Sequence, residues 1–419
     1  MPVTLQKNYD VLIVGGGMVG ATLACALAAN PATAQLSVLI VETQPLPSTA
    51  IQHGVHRSFD SRSTALSAAS RELLQRFGLW DTVERGACPI QRIHVSDQGR
   101  FGKTTLARED FSESALGYVV ENAVFGSALA AKLDSMEQCQ VCAPAAVHSA
   151  VPIDAGMRVE VRREESDEAF EIDTKLLVIA EGGRSTLCDQ LGIARSSHDY
   201  EQHALIANVA LSRPHEGVAF ERFTNTGPLA LLPLLSAEGE SRASLVWTLA
   251  GEEAQAISEL DDEKLLARLQ EKFGWRLGRF ARVGARAIYP LRLQLAQEQV
   301  RPHTVLLGNV AHTLHPVAGQ GMNLSLRDID ALVAVLAESE AGQVSAIASS
   351  SLGSMVQLKR YLSAREGDQD LMVAATDGLT KLFSSDAQAK VWLRKAGLLS
   401  LELLPTLKTR FGTRAMGFD

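Results

Sequence analysis

The chain has 419 residues, 46% of them hydrophobic, with a formal net charge of −8 and a pI near 5.8. This length and composition predict a sizeable core divided into two or three structural units. The acidic balance argues against nucleic acid as a partner, because a phosphate-binding surface needs a basic excess. No apolar run reaches the ~18 residues of a membrane span, and the N-terminus lacks a signal-peptide pattern. We therefore expect a cytoplasmic protein.

The first predicted unit is a strand, a glycine turn and a helix. An apolar run at 11–14 is followed by glycines and an Ala/Leu-rich segment. In the GxGxxG spacing, Gly15 makes the turn, Gly17 admits a pyrophosphate and Gly20 lets helix and strand pack closely. The helix N-terminus would direct free N–H groups and a positive dipole end at the phosphates.

A second apolar run, 36–41, ends in Glu42. An acid about 20 residues after the glycines accepts a hydrogen bond from a ribose 2′-hydroxyl and repels a 2′-phosphate. The nucleotide predicted here is FAD or NAD rather than NADP. The alternative, a glycine-rich turn that binds nothing, is disfavoured because strand, helix and acid occur in the expected order.

Helical spacing recurs at 63–77 and, beginning near Glu121, at 118–133. Residues 157–161 and 169–172 alternate like a hairpin, and 175–180 resembles a buried strand. The five cysteines are an odd number without a disulfide spacing. Cys139 and Cys142 form a CxxC without a second ligand pair, which favours packed thiols over a metal or redox site.

Between 204 and 287 the pattern changes to strands with one helical segment, 262–273. This predicts an antiparallel sheet with one helix as a separate substrate domain. A further apolar strand near 305 leads through Gly308-Asn309, His315-Pro316 and a Gly319-Gln-Gly321 loop into a helix at 324–336. Helices are predicted for nearly everything from Ser325 onward.

Several motifs in this order resemble a known family: GxGxxG, Glu42, Asp60-Ser-Arg62, Ala-Glu-Gly-Gly-Arg-Ser at 180–185, and His315-Pro-Val-Ala-Gly-Gln-Gly-Met-Asn-Leu324. They resemble the single-component flavin hydroxylases of the para-hydroxybenzoate hydroxylase fold, over residues 8–385. The HPxxGQGxNL element is the most specific. Residues 220–234 resemble the ubiquinone-biosynthesis hydroxylases, and the chain is most similar to their 2-octaprenyl-6-methoxyphenol hydroxylase branch.

The resemblance implies an α/β fold. A Rossmann-like FAD-binding domain would comprise 1–186 and 288–345, an antiparallel-sheet substrate domain 187–287, and a C-terminal helical region 346–419. The implied cofactor-binding residues are Gly15, Gly17, Gly20, Glu42, Arg62, Glu121, Gly308, Asn309, Gly319, Gly321, Met322 and Asn323. No metal is implied.

The start of the late helix would offer free N–H groups and a positive dipole end to the flavin pyrimidine ring. His315 and Pro316 are the candidate catalytic residues, and Pro316 would hold the loop stiff against the isoalloxazine. His315 is interpreted either as a hydrogen-bonded loop residue or as a catalytic group. Arg62 resembles the family arginine near the pyrophosphate and the nicotinamide nucleotide, or it is a solvated surface residue.

Two positions depart from the family pattern. Glu181-Gly182 stands where Asp-Gly is usual, which keeps the charge and lengthens the arm. Gly308-Asn309 stands where Gly-Asp is usual, and Asn309 keeps one acceptor oxygen for a ribityl hydroxyl. We interpret the asparagine as a mark of the methoxyphenol hydroxylase branch.

The implied reaction has NAD(P)H reducing FAD, O2 adding at flavin C4a to give a hydroperoxide, and one oxygen passing to a polyprenylated phenol. A reductant that docks and leaves needs no Rossmann domain of its own, which fits the lack of a second GxGxxG. The alternatives are another reaction on this fold, such as that of a prenyl reductase or a halogenase, or a non-catalytic flavin-binding subunit of a biosynthetic complex. All four tryptophans are isolated, which weakens the halogenase reading.

The segment from Lys381 to residue 419 combines many leucines with seven Lys or Arg: Lys381, Lys390, Arg394, Lys395, Lys408, Arg410 and Arg414. It is interpreted either as an interfacial amphipathic surface that contacts the inner membrane or other ubiquinone-biosynthesis proteins, or as C-terminal helices packed on the flavin domain or on a second copy of the chain.

Overall fold

The computed structural model describes residues 5–46, 62–99, 102–164, 168–183, 185–224, 226–237, 239–315, 319–338, 352–383, 397, 399–400 and 402–418. Its strands, in chain order, are β1 Asn8–Val14, β2 Val38–Val41, β3 Ser63–Ser67, β4 Ala87–Ile90, β5 Arg92–Asp97, β6 Lys103–Ala107, β7 Gly117–Glu121, β8 Cys139–Cys142, β9 Ala145–Ile153, β10 Gly156–Arg163, β11 Ala169–Ile179, β12 Arg195–Leu211, β13 Val218–Phe223, β14 Pro228–Ala237, β15 Glu240–Ala250, β16 Phe280–Val283, β17 Ala287–Ala296, β18 Val300–Arg301, β19 Thr304–Leu306 and β20 His312–Thr313.

The helices are α1 Met18–Ala29, α2 Ala68–Arg76, α3 Trp80–Val83, α4 Asn122–Asp134, α5 Thr186–Gln190, α6 Gly251–Ser258, α7 Asp262–Phe273, α8 Gln320–Ala337, α9 Met355–Phe383 and α10 Pro405–Ala415. Within the described ranges, no helix is both long enough and apolar enough to span a membrane.

The first sheet has the order β18-β19-β11-β1-β2-β8, and β9 and β10 extend it from β11. The five strands from β19 to β8 run parallel. Both faces of β1 are covered, since Val11 and Ile13 pack with α1, α4 and α8, whereas Leu12 and Val14 pack with the β9–β10 side. Burial on both faces explains why the strand is a continuous apolar run.

The second sheet has the order β20-β17-β12-β15-β14-β13-β5-β6. Alternate residues such as Leu205, Leu231 and Trp247 face α6 and α7 and form a core there. Successive side chains of a strand point to opposite faces of the sheet, so the intervening residues Ile206 and Ala230 face the other side, where a cavity lies. The strands predicted between 204 and 287 are present and pair antiparallel with one another, but β5, β6, β20 and nearly all of β17 add strands from outside 187–287, β5 pairs with β13 in parallel, and two helices stand where one was expected.

A third, small sheet has the order β3-β7-β4. The predicted helix at 63–77 is wrong over its first five residues, which form β3 before α2 begins. The helix predicted within 118–133, with a start near Glu121, begins at Asn122 as expected, and the residues before it form β7. Pairing between residues more than 50 positions apart, such as Ser63 with Glu121, overrides the local helical spacing.

A buried charge network joins α8 to α9. Asp328 on α8 accepts hydrogen bonds from Arg365 Nε at 2.7 Å and Gln369 Nε2 at 3.0 Å, and its Oδ2 lies 2.7 Å from His312 Nε2. Arg327 Nε donates to Asp368 at 2.7 Å. Burial alone would raise the pKa of Asp328, but His312 and Arg365 hold it below its usual value. The network fixes α8, whose first turn borders the cavity.

Candidate flavin and substrate site

A cavity of about 1120 Å³ lies between the first and second sheets. At one end it is bordered by the glycine turn after β1 and by Glu42 after β2. At the other end it is bordered by the free face of the second sheet. One continuous space therefore joins the predicted nucleotide site to an apolar wall.

The three glycines of the first turn have separate roles. Gly15 has φ +103°, and a Cβ there would lie 2.7 Å from the Ala180 carbonyl oxygen. A Cβ on Gly20 would lie 1.9 Å from the Gly15 carbonyl oxygen. Gly17 caps α1 and lines the cavity, and the position of its missing Cβ has no atom within 4 Å. This open cradle at a helix N-terminus fits the pyrophosphate of FAD.

Glu42 is held at the cavity edge. Its Oε2 accepts a 2.7 Å hydrogen bond from Gly16 N–H, and Oε1 accepts one of 2.8 Å from Gln44 N–H. A carboxylate has further lone pairs, so a ribose hydroxyl can still donate to it. Glu181 also lines the cavity and accepts a hydrogen bond from Ser185 Oγ. Burial raises the pKa of Glu181, and the nearby charge of Glu42 adds to the shift.

The predicted late helix is longer than expected, because α8 begins at Gln320 rather than at 324. Gly319 precedes it with φ +61°, and a Cβ there would lie 3.0 Å from Ala65 Cβ. Gly321 has no atom within 4 Å of its missing Cβ, and both glycines and Met322 line the cavity. The first turn therefore presents its N–H groups to the cavity, as a flavin pyrimidine ring would require.

Asn323 links this turn to the third sheet. Its Oδ1 accepts hydrogen bonds from Ser67 N–H at 2.9 Å and Ser70 Oγ at 2.8 Å. Its Nδ2 donates to the carbonyls of Ala65 at 3.2 Å and Gly319 at 3.0 Å. The side chain thus positions the loop, which leaves only its backbone for the predicted cofactor contact.

His315 is 1% exposed and lines the cavity. Its ring meets the edge of Tyr200, with centroids 5.3 Å apart at 87°. Burial lowers the pKa of His315 to about 4, so the imidazole is neutral at neutral pH. Pro316 lies outside the described residues. Both interpretations of His315 remain predictions.

Gly308 and Asn309 lie beside α1 in a short turn. Gly308 has φ +73°, and a Cβ there would lie 3.0 Å from Val19 Cγ2. Asn309 is exposed and borders the cavity, and its carbonyl accepts a 2.8 Å hydrogen bond from Thr313 Oγ1. Its amide side chain is available for the predicted ribityl contact.

Arg62 and Glu121 lie away from the cavity wall. Arg62 Nη1 donates to the Tyr289 hydroxyl at 3.0 Å, and its guanidinium lies 5.7 Å from that ring's centroid. Glu121 forms an ion pair of 3.3 Å with Arg242, and both side chains are buried. The structure therefore does not bring these two residues together with the glycines. Glu121 instead links the third sheet to the second.

The sheet wall contains residues that the sequence did not identify. We define it as the cavity-facing side chains of β5, β6 and β12–β15: Ile93, Val95, Thr104, Leu106, Ile206, Ala219, Glu221, Phe223, Ala230, Leu232 and Val246. Those from β5 and β6 were missed because nothing local indicates that 92–107 joins a distant sheet. Glu221 is the one acid in this set, and its place within the apolar segment 220–234 was the available signal.

Comparison with known proteins identifies the chain's relatives. Residues 8–349 match the FAD binding domain family. The chain is 35% identical to ubiquinone hydroxylase UbiL from Rhodospirillum rubrum, over 99% of this chain and 92% of that protein. It is 30% identical to 3-demethoxyubiquinol 3-hydroxylase from Escherichia coli K12, over 98% of this chain and 99% of that protein.

The fold is similar to that of p-nitrophenol 4-monooxygenase PnpA from Pseudomonas putida, with a TM-score of 0.75 at 16% identity over 99% of this chain and 100% of that one. The fold, the FAD binding domain and the two hydroxylase relatives together define the class of FAD-dependent monooxygenases. Within it, the chain belongs to the family of ubiquinone-biosynthesis flavin hydroxylases. The predicted family, fold class and FAD cofactor are confirmed, and the branch within the family stays a prediction.

Proposed function

We propose that this protein hydroxylates the ring of a polyprenylated phenol in ubiquinone biosynthesis, using NAD(P)H and O2. The observation that carries this proposal is the single cavity that joins a nucleotide cradle to an apolar wall. Gly15, Gly17 and Glu42 would hold the ADP half of FAD, and the first turn of α8 would hold the isoalloxazine. Bound FAD, reduced by NAD(P)H, supplies the activation of O2.

The chain's own residues bind and orient the substrate, and they exclude water from it. Leu232 and Val246 cover the cavity from the second sheet, and Leu314 and Met322 border it on the opposite side. Such walls keep water from the reacting atoms. They also favour an apolar tail, because each buried methylene contributes roughly 0.8 kcal/mol.

The proposal extends to where the substrate is collected. Phe411 and Ala415 of α10 line the cavity, and Leu403, Leu404 and Leu407 beside them are 45–65% exposed. An apolar surface next to the cavity suits an enzyme at the inner membrane surface that takes up a lipid-tailed phenol.

The decisive experiment uses the purified, FAD-loaded protein with 2-farnesyl-6-methoxyphenol and with untailed 2-methoxyphenol. We expect the tailed phenol to stimulate NAD(P)H oxidation and to gain one oxygen atom from ¹⁸O-labelled O2. The untailed phenol should bind much more weakly. Equal turnover of the two phenols would contradict the lipid substrate, and NAD(P)H oxidation without oxygen incorporation would contradict the hydroxylase.

A further inference from the structure

One row of side chains crosses the sheet wall from β6 to β12. Register pairs Thr104 with Val95, Val95 with Glu221 and Glu221 with Ala230. Ala230 then pairs with Val246 and Val246 with Ile206. All six residues line the cavity. Glu221 is thus the single charged group in a row whose other members are apolar, apart from the Thr104 hydroxyl.

The Glu221 carboxyl has no protein partner in the part of the chain that the structure describes. Its nearest cation in sequence, Arg222, points to the other face, where its Nε donates to the Lys272 carbonyl at 3.0 Å. Burial alone raises the pKa of Glu221 to about 7. An acid that faces a largely apolar cavity without a protein partner indicates that a ligand group is its partner.

Thr104 shows the same pattern. It is 1% exposed, and its Oγ1 has no hydrogen-bond partner. Thr104 and Glu221 lie two strands apart in the same row, so their Cα atoms are separated by about 10 Å, twice the usual strand spacing. An aromatic ring with oxygens on two neighbouring carbons bridges such a distance through two hydrogen bonds, because both side chains extend from the sheet toward it.

We propose that Glu221 accepts a hydrogen bond from the ring hydroxyl of the phenol and removes its proton during hydroxylation. Thr104 donates a hydrogen bond to a second oxygen on the same ring. This rests on the proposed function. The phenolic O–H bond breaks, the proton forms a new O–H bond on Glu221, and the electron pair stays on the phenolate oxygen. That negative charge raises the electron density at the ring carbons ortho and para to it. These are the carbons that an electrophilic oxygen attacks.

The pH dependence follows from the ionisation of Glu221. A neutral carboxyl cannot take the proton, so the rate should fall as the pH drops through about 7. The cavity-facing residues of the adjacent strands, Val95 on β5 and Ala230 on β14, carry no charge, and α10 contributes Phe411 and Ala415. The other ionisable groups on the cavity are His315, Glu42 and Glu181.

The test compares FAD-loaded wild type, Glu221→Gln, Glu221→Asp and the control Glu252→Gln on the exposed side of α6, all with 2-farnesyl-6-methoxyphenol. Glu221→Gln should keep its FAD, lose about 10²- to 10⁴-fold in hydroxylation rate and lose the acidic limb near pH 7. Glu221→Asp should recover part of the rate, and Glu252→Gln should match wild type. Wild-type rate and pH profile in Glu221→Gln would overturn the proposal.

A binding measurement separates this proposal from the proposed function. The phenol and its methyl ether, 1,2-dimethoxy-3-farnesylbenzene, are titrated against each variant and followed through the flavin absorption spectrum. Glu221→Gln should weaken binding of the phenol but not of the ether. Thr104→Val should weaken both. If wild type binds the phenol without turnover, the proposed hydroxylase function is contradicted, but the binding role of Glu221 is still tested. Equal phenol affinity in wild type and Glu221→Gln would refute the role of Glu221.

Discussion

At the scale of single residues, the glycines of one short turn meet different physical demands. Gly20 is required by the fold, because the Gly15 carbonyl occupies the place of its Cβ. Gly17 has free space around its missing Cβ, so the fold itself tolerates a side chain there. A glycine is required at this position by the cofactor, which would occupy the same space.

Substitution should therefore separate the two roles. Gly17→Val should fold with a near wild-type unfolding midpoint but bind FAD at least about tenfold more weakly, which corresponds to ~1.4 kcal/mol. Gly20→Ala should lower the free energy of unfolding of the apoprotein by about 1–3 kcal/mol, because α1 or the turn must shift. FAD titration and denaturant unfolding of both apoproteins check this. Full FAD affinity in Gly17→Val would contradict the pyrophosphate placement.

The GxGxxG spacing predicted these glycines, and the acid after the second strand predicted Glu42, because both depend on local geometry. Glu221 escaped prediction for a physical reason. An acid inside a strand is usually a solvent-facing residue, and only the register with β5 and β14 shows that this one faces the cavity. Arg62 and Glu121 were located by similarity, and their actual contacts, Tyr289 and Arg242, are distant in sequence.

At the scale of elements, β1, α1 and α8 were predictable from local sequence, because β1 and α1 are largely continuous apolar runs that are buried, and α8 has apolar residues at helical spacing. β3 and β7 were not, since their strand conformation depends on the pairing of β7 with β3 on one side and with β4 on the other. The position of α8 in turn depends on Asp328, which is 0% exposed and binds His312 and Arg365 together.

Removal of that charge should loosen α8. Asp328→Asn should reduce the free energy of unfolding by about 3 kcal/mol, at the low end for a broken buried pair, because Arg365 loses one of its two carboxylate partners and keeps Asp368. Asp330→Asn on the same helix removes only a partly exposed pair with Arg76 and should cost no more than about 1 kcal/mol. Chemical denaturation of the FAD-loaded proteins gives both values, and equal losses would contradict a special role for the buried network.

The same pair of variants should differ in acid. The folded-state pKa of Asp328 is lowered, so its contribution is fully present above the unfolded pKa of about 3.9 and is lost as the pH falls through the folded pKa. The stability gap between wild type and Asp328→Asn should therefore narrow below about pH 4. A gap that is constant from pH 7 to pH 3 would show that packing rather than charge is responsible.

At the scale of the whole molecule, the cavity joins two sheets to the C-terminal helix, and the apolar residues of that helix mark one outer face. Of the basic residues predicted to act there, Lys408 is paired with Asp110 at 3.0 Å, whereas Arg410 is exposed. Arg394 and Lys395 lie outside the described residues. The exposed leucines therefore offer the sharper test.

If this face contacts a membrane, the double variant Leu403→Ser with Leu407→Ser should reduce binding to anionic vesicles by at least about tenfold. The reason is that two apolar side chains are no longer transferred from water into the membrane. FAD content should not change. Binding should also weaken with salt as the Debye length shortens. Val356→Ser with Leu371→Ser, exposed on α9, is the matched control. Vesicle binding unaffected by the first pair, together with a changed oligomeric state, would assign the face to contact between copies of the chain.

The charge of the sheet wall depends on the register of β13 with its neighbouring strands. Side chains alternate along a strand, so a slip of one residue would turn Glu221 away and bring Arg222 into the cavity. β13 is held against this by a parallel neighbour, β5, and an antiparallel one, β14. Its entry is fixed as well, since His215 Nδ1 accepts from Gly217 N–H at 3.0 Å and Nε2 lies 2.9 Å from the Leu234 carbonyl oxygen. A one-residue slip of β13 would therefore act as a charge reversal inside the cavity, although it replaces no residue of the wall.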